Sequence, residues 1–235
     1  MQPDDGTVHR SRRTGRPPVT SRAAILAAAR ALIDRDGWER LTVRGLAAEL
    51  GIGATTFYRH VRDKDDLLLL LVNEYAATIP RATVSDDPRD RIVAAAEALH
   101  GTLAAWPWAA EVLTVDGFVG RLDEAALIPV EAIVAAAVDA GCTRERAVEV
   151  FRSIWYYTVG EILVRARTAR TNPSAHAPSP GFLDGVDAGR LPQLAAIGER
   201  WPAIAARDTY SDGLVALVRG LLVGATVPER DVADS

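Results

Sequence analysis

Between Leu41 and Lys64 the chain reads LTVRGLAAELGIGATTFYRHVRDK, and its last stretch carries Thr55, Thr56, Tyr58, Arg59, His60, Arg62 and Lys64. Hydroxyls, an imidazole, guanidiniums and an ammonium in so short a run form a donor set suited to phosphate oxygens and base edges. The same residue types also make the solvated face of an ordinary helical hairpin. Leu46, Leu50, Ile52, Phe57 and Val61 are interleaved with them and supply an apolar side, and Ala47 is small where two helices must cross closely. No other constellation does chemistry. There is no P-loop, no Gly-rich dinucleotide turn behind a strand, no Gly-x-Ser-x-Gly, and no histidine pair at zinc-ligand spacing. His9, His60, His100 and His176 are scattered, and Cys142 is the only cysteine, so no intramolecular disulfide or cysteine-built zinc site can form. No catalytic residue, metal or cofactor is expected, and Cys142 reads as a buried, inert thiol. A helical enzyme assembled from distant residues and a protein-interaction adaptor are the competing classes; the adaptor has no use for the basic face.

The elements that must hold this run are helices. Ile25, Ala29, Leu32 and Ile33 recur at helical spacing after Ser21, which fits an N-cap, and Asp36-Gly37 supplies the stop. Thr42 can cap a short helix ending before Gly51, and a third helix is predicted from Ala54 to about His60. Two short helices around a Gly-containing turn meet the specification of a helix-turn-helix. Asp63, with Asp66 three residues on, caps a fourth helix predicted to reach Ile79 before Pro80, long enough to join two domains. Further helices are predicted over 88–105, 108–114, 118–140, 143–170 and 209–223, with a short one near 191–200, while 171–190 reads as a long exposed loop. No strand alternation is present, so the fold class is all-α.

Charge divides the chain more informatively than its total. Residues 1–64 hold 12 Arg/Lys against 7 Asp/Glu, whereas the remainder holds 15 against 24, within a formal net charge of −4. A basic end beside an acidic body suits a polyanion partner for the first part only. The longest run of large apolar residues, Leu67 to Val72, is far too short to span a bilayer, and no secretory h-region follows the N-terminus, so a cytoplasmic protein with no membrane partner is expected. Residues 1–18 hold almost nothing apolar and read as a flexible basic arm, 19–64 as the helix-turn-helix domain and 65–235 as a second helical domain.

The run LTVRGLAAELGIGATTFYRHVRDKDDLL resembles the DNA-binding domain of the tetracycline-repressor (TetR) family: Leu-Thr before helix two, Ala-x-x-Leu-Gly-Ile within it, and Tyr-x-His-Val-x-x-Lys after it. The likeness covers roughly residues 20–72 and continues more loosely through Pro107-Trp108 and the closing Leu191-Pro192 to Gly220-Leu221-Leu222 stretch. It implies a homodimer binding a palindromic double-stranded DNA operator, usually as a repressor, and released by a small-molecule effector. Carried onto this chain, it implies that Arg44 enters the major groove or grips a phosphate. Thr55 and Thr56 would lie at the groove-facing start of helix three, Tyr58 and His60 would hold the DNA backbone, and Lys64 would pair with a phosphate. Ala54 stands where the family's namesake has a base-reading glutamine; alanine can only touch a thymine methyl, so the implied operator differs. In the arm, Arg10, Arg12, Arg13 and Arg16 surround a Gly-Arg-Pro that resembles minor-groove hooks, with a solvated tail as the alternative.

The resemblance also implies that residues 75–225 enclose a ligand cavity and that the two last long helices build a dimer interface. Tyr210, Leu214, Leu217, Val218, Leu221 and Leu222 form a wide apolar stripe, led by Thr209 and Asp212 in a capping-box-like pair. Tyr157, Gly160, Glu161 and Val164 can face a partner on the preceding helix; both stripes fit intrachain core equally well. For a largely apolar effector the expected lining is His100, Trp106, Trp108, Phe118, Phe151 and Trp155, although aromatic residues on helices are commonly core filler.

Overall fold

The computed structural model describes residues 21–80, 85–114, 117–171 and 185–223, and every described regular element is helical. The basic arm and most of the expected 171–190 loop lie outside these residues. Contacts divide the chain into two compact units, Met1–Leu67 and Leu68–Ser235, with the division inside one helix.

In the first unit each helix begins where a side chain satisfies an otherwise orphaned amide. The Ser21 hydroxyl accepts from the Ala24 amide (3.2 Å) to open α1 (Arg22–Asp36), and Thr42 accepts from Gly45 (3.0 Å) to open α2 (Val43–Glu49). Gly37 and Gly51 supply the left-handed stops, at φ +86° and +64°. A 3₁₀ turn at Trp38–Arg40, not apparent in the sequence, joins α1 to α2. The third helix, α3 (Ala54–Tyr58), is shorter than its predicted span to His60. Ile25, Leu26, Ala29, Ile33, Leu46 and Phe57 form the core of the three helices. Next, α4 (Lys64–Ala76) starts with its Asp66 amide donating to Asp63 Oδ1 (2.7 Å). It stops one turn before Ile79. The Thr78 hydroxyl donates to the Tyr75 carbonyl (2.6 Å) ahead of Pro80, and both features disfavour another helical turn.

The second unit packs α5 (Pro88–Ala105), α7 (Glu124–Asp139), α8 (Arg144–Thr171) and α11 (Tyr210–Leu221) against one another, with α6 (Pro107–Val112) on α5 and α8. The helix expected over 118–140 is interrupted: a 3₁₀ turn at Phe118–Arg121 gives way to α7 at Asp123, whose carboxylate accepts from the Ala126 amide at 3.0 Å. Likewise the short helix near 191–200 resolves into α9 (Pro192–Ile197), a 3₁₀ turn and α10 (Trp201–Ala205). Cys142 is buried, which pushes its thiol pKa up. Among the described residues no helix is long and apolar enough to cross a membrane.

How α11 attaches to α5 and α8 corrects one expectation and decides between the readings left open for two stripes. Thr209 does not cap α11; Asp208 Oδ1 accepts from the Tyr210 amide instead (3.0 Å), which helps hold its carboxyl below the usual range. Tyr157 and Glu161 do not face outward. Tyr157 donates to the Tyr210 carbonyl (3.2 Å), and Glu161 Oε2 lies 2.7 Å from His100 Nε2 while its other oxygen pairs with Arg165. These turn inward because Tyr210 is buried between them: its ring stacks on His100 (3.8 Å) and on Tyr157 (5.3 Å), and its hydroxyl meets that of Thr158 at 2.8 Å. The stripe of Tyr210, Leu214, Val218 and Leu222 is therefore intrachain core, while Gly160 and Val164 of α8 remain exposed.

Burial pushes the Tyr210 hydroxyl up to about 12 from its ordinary value of 10.0. The folded chain thus holds this proton more tightly than the unfolded chain, so the associated stability is present below pH 10 and is lost as pH rises towards 12. A displacement of that size corresponds to about 2–3 kcal/mol. Urea titrations at increasing pH across that window should show the loss in the wild type and a flatter profile in Tyr210→Phe. A Cβ on Gly213 would collide with the Tyr157 hydroxyl. Gly213→Ala should accordingly lower stability by about 1–3 kcal/mol, relieved when combined with Tyr157→Phe or a smaller residue.

Candidate functional site

Two places in the structure gather the chemistry-bearing residues, one in each unit. In the first, Leu46, Phe57 and Val61 point into the core, which leaves Arg44, Thr55, Tyr58 and Arg59 exposed on the other side of α2 and α3. Thr56 and His60 are half-buried beside them. Arg44 and Arg59 have no ion-pair partner among the described residues, so a dense set of donors is uncommitted. Arg62 is different: its guanidinium and its amide both bond Asp66 (2.9 Å each), which holds the Asp66 carboxyl below its ordinary range. Lys64 is committed as well, donating to the Glu39 carbonyl at 3.1 Å with its ammonium 5.3 Å from the centre of the Trp38 ring. Trp38 and Glu39 belong to the 3₁₀ turn that the sequence did not disclose. Gly45 was also overlooked. A Cβ there would lie 3.0 Å from Thr42 Oγ1, the atom that caps α2.

In the second unit an apolar cavity lies between α4, α5, α6, α7 and α8. Four of the aromatic residues expected from the sequence, Trp106, Phe118, Phe151 and Trp155, line it. Phe151 and Trp155 are buried on α8, while Trp106 and Phe118 are half-buried. His100 and Trp108 are not on its wall. His100 lies on the α5 face that meets Tyr210 and Glu161; Trp108 is buried on α6 with its ring edge against Tyr75, centroids 5.7 Å apart. The wall also includes Val72, Tyr75, Ala76 and Ile79, an i, i+3, i+4, i+7 stripe on and just beyond α4 that was legible as periodicity but not as a pocket. Tyr75 stacks on Trp106 at 3.9 Å and 22°. No charged side chain lies on the wall among the described residues. Its hydroxyl groups are those of Tyr75 and Thr102, the latter donating to the Ala98 carbonyl at 3.0 Å. Among the described residues no group of three or more His, Cys, Asp or Glu side chains is placed to hold a metal ion.

Comparison with known proteins places both units. The profile for bacterial regulatory proteins of the tetR family matches residues 25–71, and that of the tetracyclin repressor-like C-terminal domain matches residues 80–223. An HTH-type transcriptional regulator of Saccharopolyspora erythraea is 33% identical over 147 residues, covering 62% of this chain and 61% of that protein. One from Mycobacterium tuberculosis is 37% identical over 97 residues, 38% of this chain and 41% of that one. The chain thus spans about three-fifths of the length of the first relative (61%). Among solved structures, Streptomyces coelicolor ActR in complex with actinorhodin superposes with a TM-score of 0.70 at 21% identity, over 88% of this chain and 97% of that chain. Mycobacterium smegmatis BioQ gives 0.64 at 22%, over 87% and 99% respectively. At these identities the structural likeness concerns the fold.

The internal commitments separate two cations that the sequence treats alike. Lys64→Ala removes a charge-assisted hydrogen bond and a ring contact, and should lower stability by about 1–2 kcal/mol. Arg44→Ala should leave stability within about 0.5 kcal/mol of the parent. Denaturant titrations followed by circular dichroism measure both.

Proposed function

The chain belongs to the tetR family of bacterial regulatory proteins, a family of transcriptional regulators rather than enzymes, and from that premise we propose that it is a repressor released from a palindromic operator by a small, largely apolar effector. It works in the cytoplasm as a homodimer. The observation that carries the reading is the uncommitted donor face of α2 and α3, set against a fully buried Leu46 and Phe57 on the opposite side. Arg44 takes a base edge or a flanking phosphate, Thr55 and Thr56 approach the groove, and Tyr58 and His60 hold the backbone. Lys64 supplies positive charge for a phosphate while it braces the Trp38 turn. A single short recognition helix per chain is too small for tight specific binding alone, which supports a dimer on two half-sites. Exposed Tyr156, Gly160 and Val164 offer an α8 surface for the partner.

Support for an apolar effector comes from the wall of the cavity, which is apolar apart from a few hydroxyl and indole groups. The ligand set accordingly narrows to Trp106, Phe118, Phe151 and Trp155, joined by Tyr75. The complex of ActR with actinorhodin is consistent with a site of this kind in the same fold. Release requires the effector to favour the arrangement that does not bind DNA, and α4 is the natural conduit because Val72, Tyr75 and Ala76 form part of the cavity wall.

Selection from random duplexes, followed by gel shifts at several salt concentrations, tests the reading. The expected product is a palindrome whose half-sites are centred about 34–36 Å apart or a multiple of that. Arg44→Ala should cost about 1–3 kcal/mol and relax preference at one base pair, whereas Lys64→Ala should weaken all sequences alike. A chain that selects no duplex, or that binds as a monomer, overturns the reading.

A further inference from the structure

The free volume of the cavity is only ≈ 30 Å³, room for about two water molecules. Pockets that hold small molecules usually enclose about 300–1,000 Å³. An effector therefore needs a side chain to leave. The candidates differ in how firmly they are held. Phe151 and Trp155 sit mid-way along the 28-residue α8, each 5% exposed, so turning either out would open a gap in the packed core. Phe118 is tilted against Trp155 with centroids 4.6 Å apart, and its departure would free only a single phenyl ring. Trp106 is half-buried and occupies the break between α5 and α6, at φ −134° and ψ 73°. Of the two indoles on the wall, those of Trp106 and Trp155, it is the less buried, so it can swing about χ1 towards solvent. On leaving, it uncovers the face of Tyr75 on which it stacks at 3.9 Å.

We propose that Trp106 is the resident occupant of the effector site: its indole fills the slot against Tyr75 that a neutral, planar aromatic effector takes, and binding swings it out. The inference rests on the cavity being the effector site. The slot selects flat rings because it is already filled by one, with Tyr75 as the surviving stacking face. It selects against charge because the described wall offers no cation or anion, and Thr102 already donates its proton to Ala98. An ionised group there would be desolvated without a partner.

The sign of one substitution separates an occupant from a wall. If Trp106 is displaced by ligand, removing it takes away a competitor and tightens binding; if it is a contact, removing it weakens binding. Calorimetry on the full chain would use 2-acetylnaphthalene as the neutral planar probe, 2-naphthoate as its charged counterpart, and 2-decanone as a flexible apolar control. Trp106→Ala is expected to bind 2-acetylnaphthalene at least about tenfold more tightly than the wild type, a difference of about 1.4 kcal/mol. Tyr75→Leu should weaken it, 2-naphthoate should bind neither protein measurably, and 2-decanone should gain little from the Trp106 change. Trp106→Phe provides an intermediate should the alanine variant fold poorly. In 5-fluorotryptophan protein, the fluorine resonance lost in Trp106→Phe should move towards the solvent-exposed position when the probe binds, while those of Trp38 and Trp201, which are not on the cavity wall, stay in place. Weaker binding to both Trp106 variants, equal binding of 2-naphthoate or 2-decanone, a stationary Trp106 resonance, or no binding of any probe would each overturn the proposal. Duplex selection on the same preparations keeps the two readings apart. A chain that selects DNA but fails these tests loses the occupant and keeps the regulator; one that selects no DNA loses the regulator.

Discussion

Glu161 sits at 16% side-chain exposure on α8, and a carboxylate so placed must be compensated on both oxygens or it becomes a liability. His100 answers one oxygen and Arg165 the other, and Arg165 continues to Asp208 at 3.1 Å, the residue that accepts from the first amide of α11. One compensated charge thus ties α5, α8 and the entry to α11 together. The tie is also steric. Tyr210 is held between the His100 and Tyr157 rings, and the chain must use glycine at 213 to let Tyr157 approach. Because the same two helices carry Leu99, Thr102 and Leu103, and Phe151 and Trp155, on other faces, fixing their mutual setting also fixes the facing walls of the apolar cavity.

That geometry accounts for what could be read from the sequence. The helix-turn-helix was legible almost to the residue because its determinants are local: Ser21 and Thr42 cap, Gly37 and Gly51 stop, and the apolar positions between them have few alternative partners. What stayed hidden there is nonlocal by nature. Lys64 bonds a carbonyl 25 positions earlier, on a turn whose sequence, Trp-Glu-Arg, carries no turn signal. The second unit shows the same contrast on a larger scale. Trp106, Phe118, Phe151 and Trp155 were identified as a group by residue type, yet His100 belongs elsewhere because residues 99 and 100 differ by about 100° around a helix. Leu99 thereby faces the cavity and His100 faces Tyr210. Periodicity gives the angle between two residues on a helix, but which neighbour lies at that angle is decided by tertiary packing.

The α11 stripe carries a related lesson. A wide apolar face at helical spacing is compatible with a partner chain or with the chain's own core, and periodicity assigns no preference. Tyr210, Leu214, Val218 and Leu222 are satisfied internally against α5 and α8. Leu217 and Leu221 of the same stripe are only half-buried, and on α8 Tyr156 and Val164 are 57% and 66% exposed. The buried and the exposed residues of α8 lie on different faces of that helix.

A filled cavity changes how an effector would be sensed. When the binding-competent form is only a fraction of the population, apparent affinity falls by that fraction. If the indole of Trp106 vacates the slot about one time in a hundred, an effector binds about a hundredfold more weakly than its contacts alone would give. That penalty is useful in a regulator, because it sets a concentration threshold without weakening the contacts that discriminate between ligands. A seated indole also keeps the site packed, so the unliganded protein does not carry the instability of a large apolar void, which grows by about 24 cal/mol for each Å³ left unfilled. A single aromatic side chain at a helix break can therefore meet both requirements: it completes the core when ligand is absent, and its displacement couples ligand to Tyr75 and hence to α4.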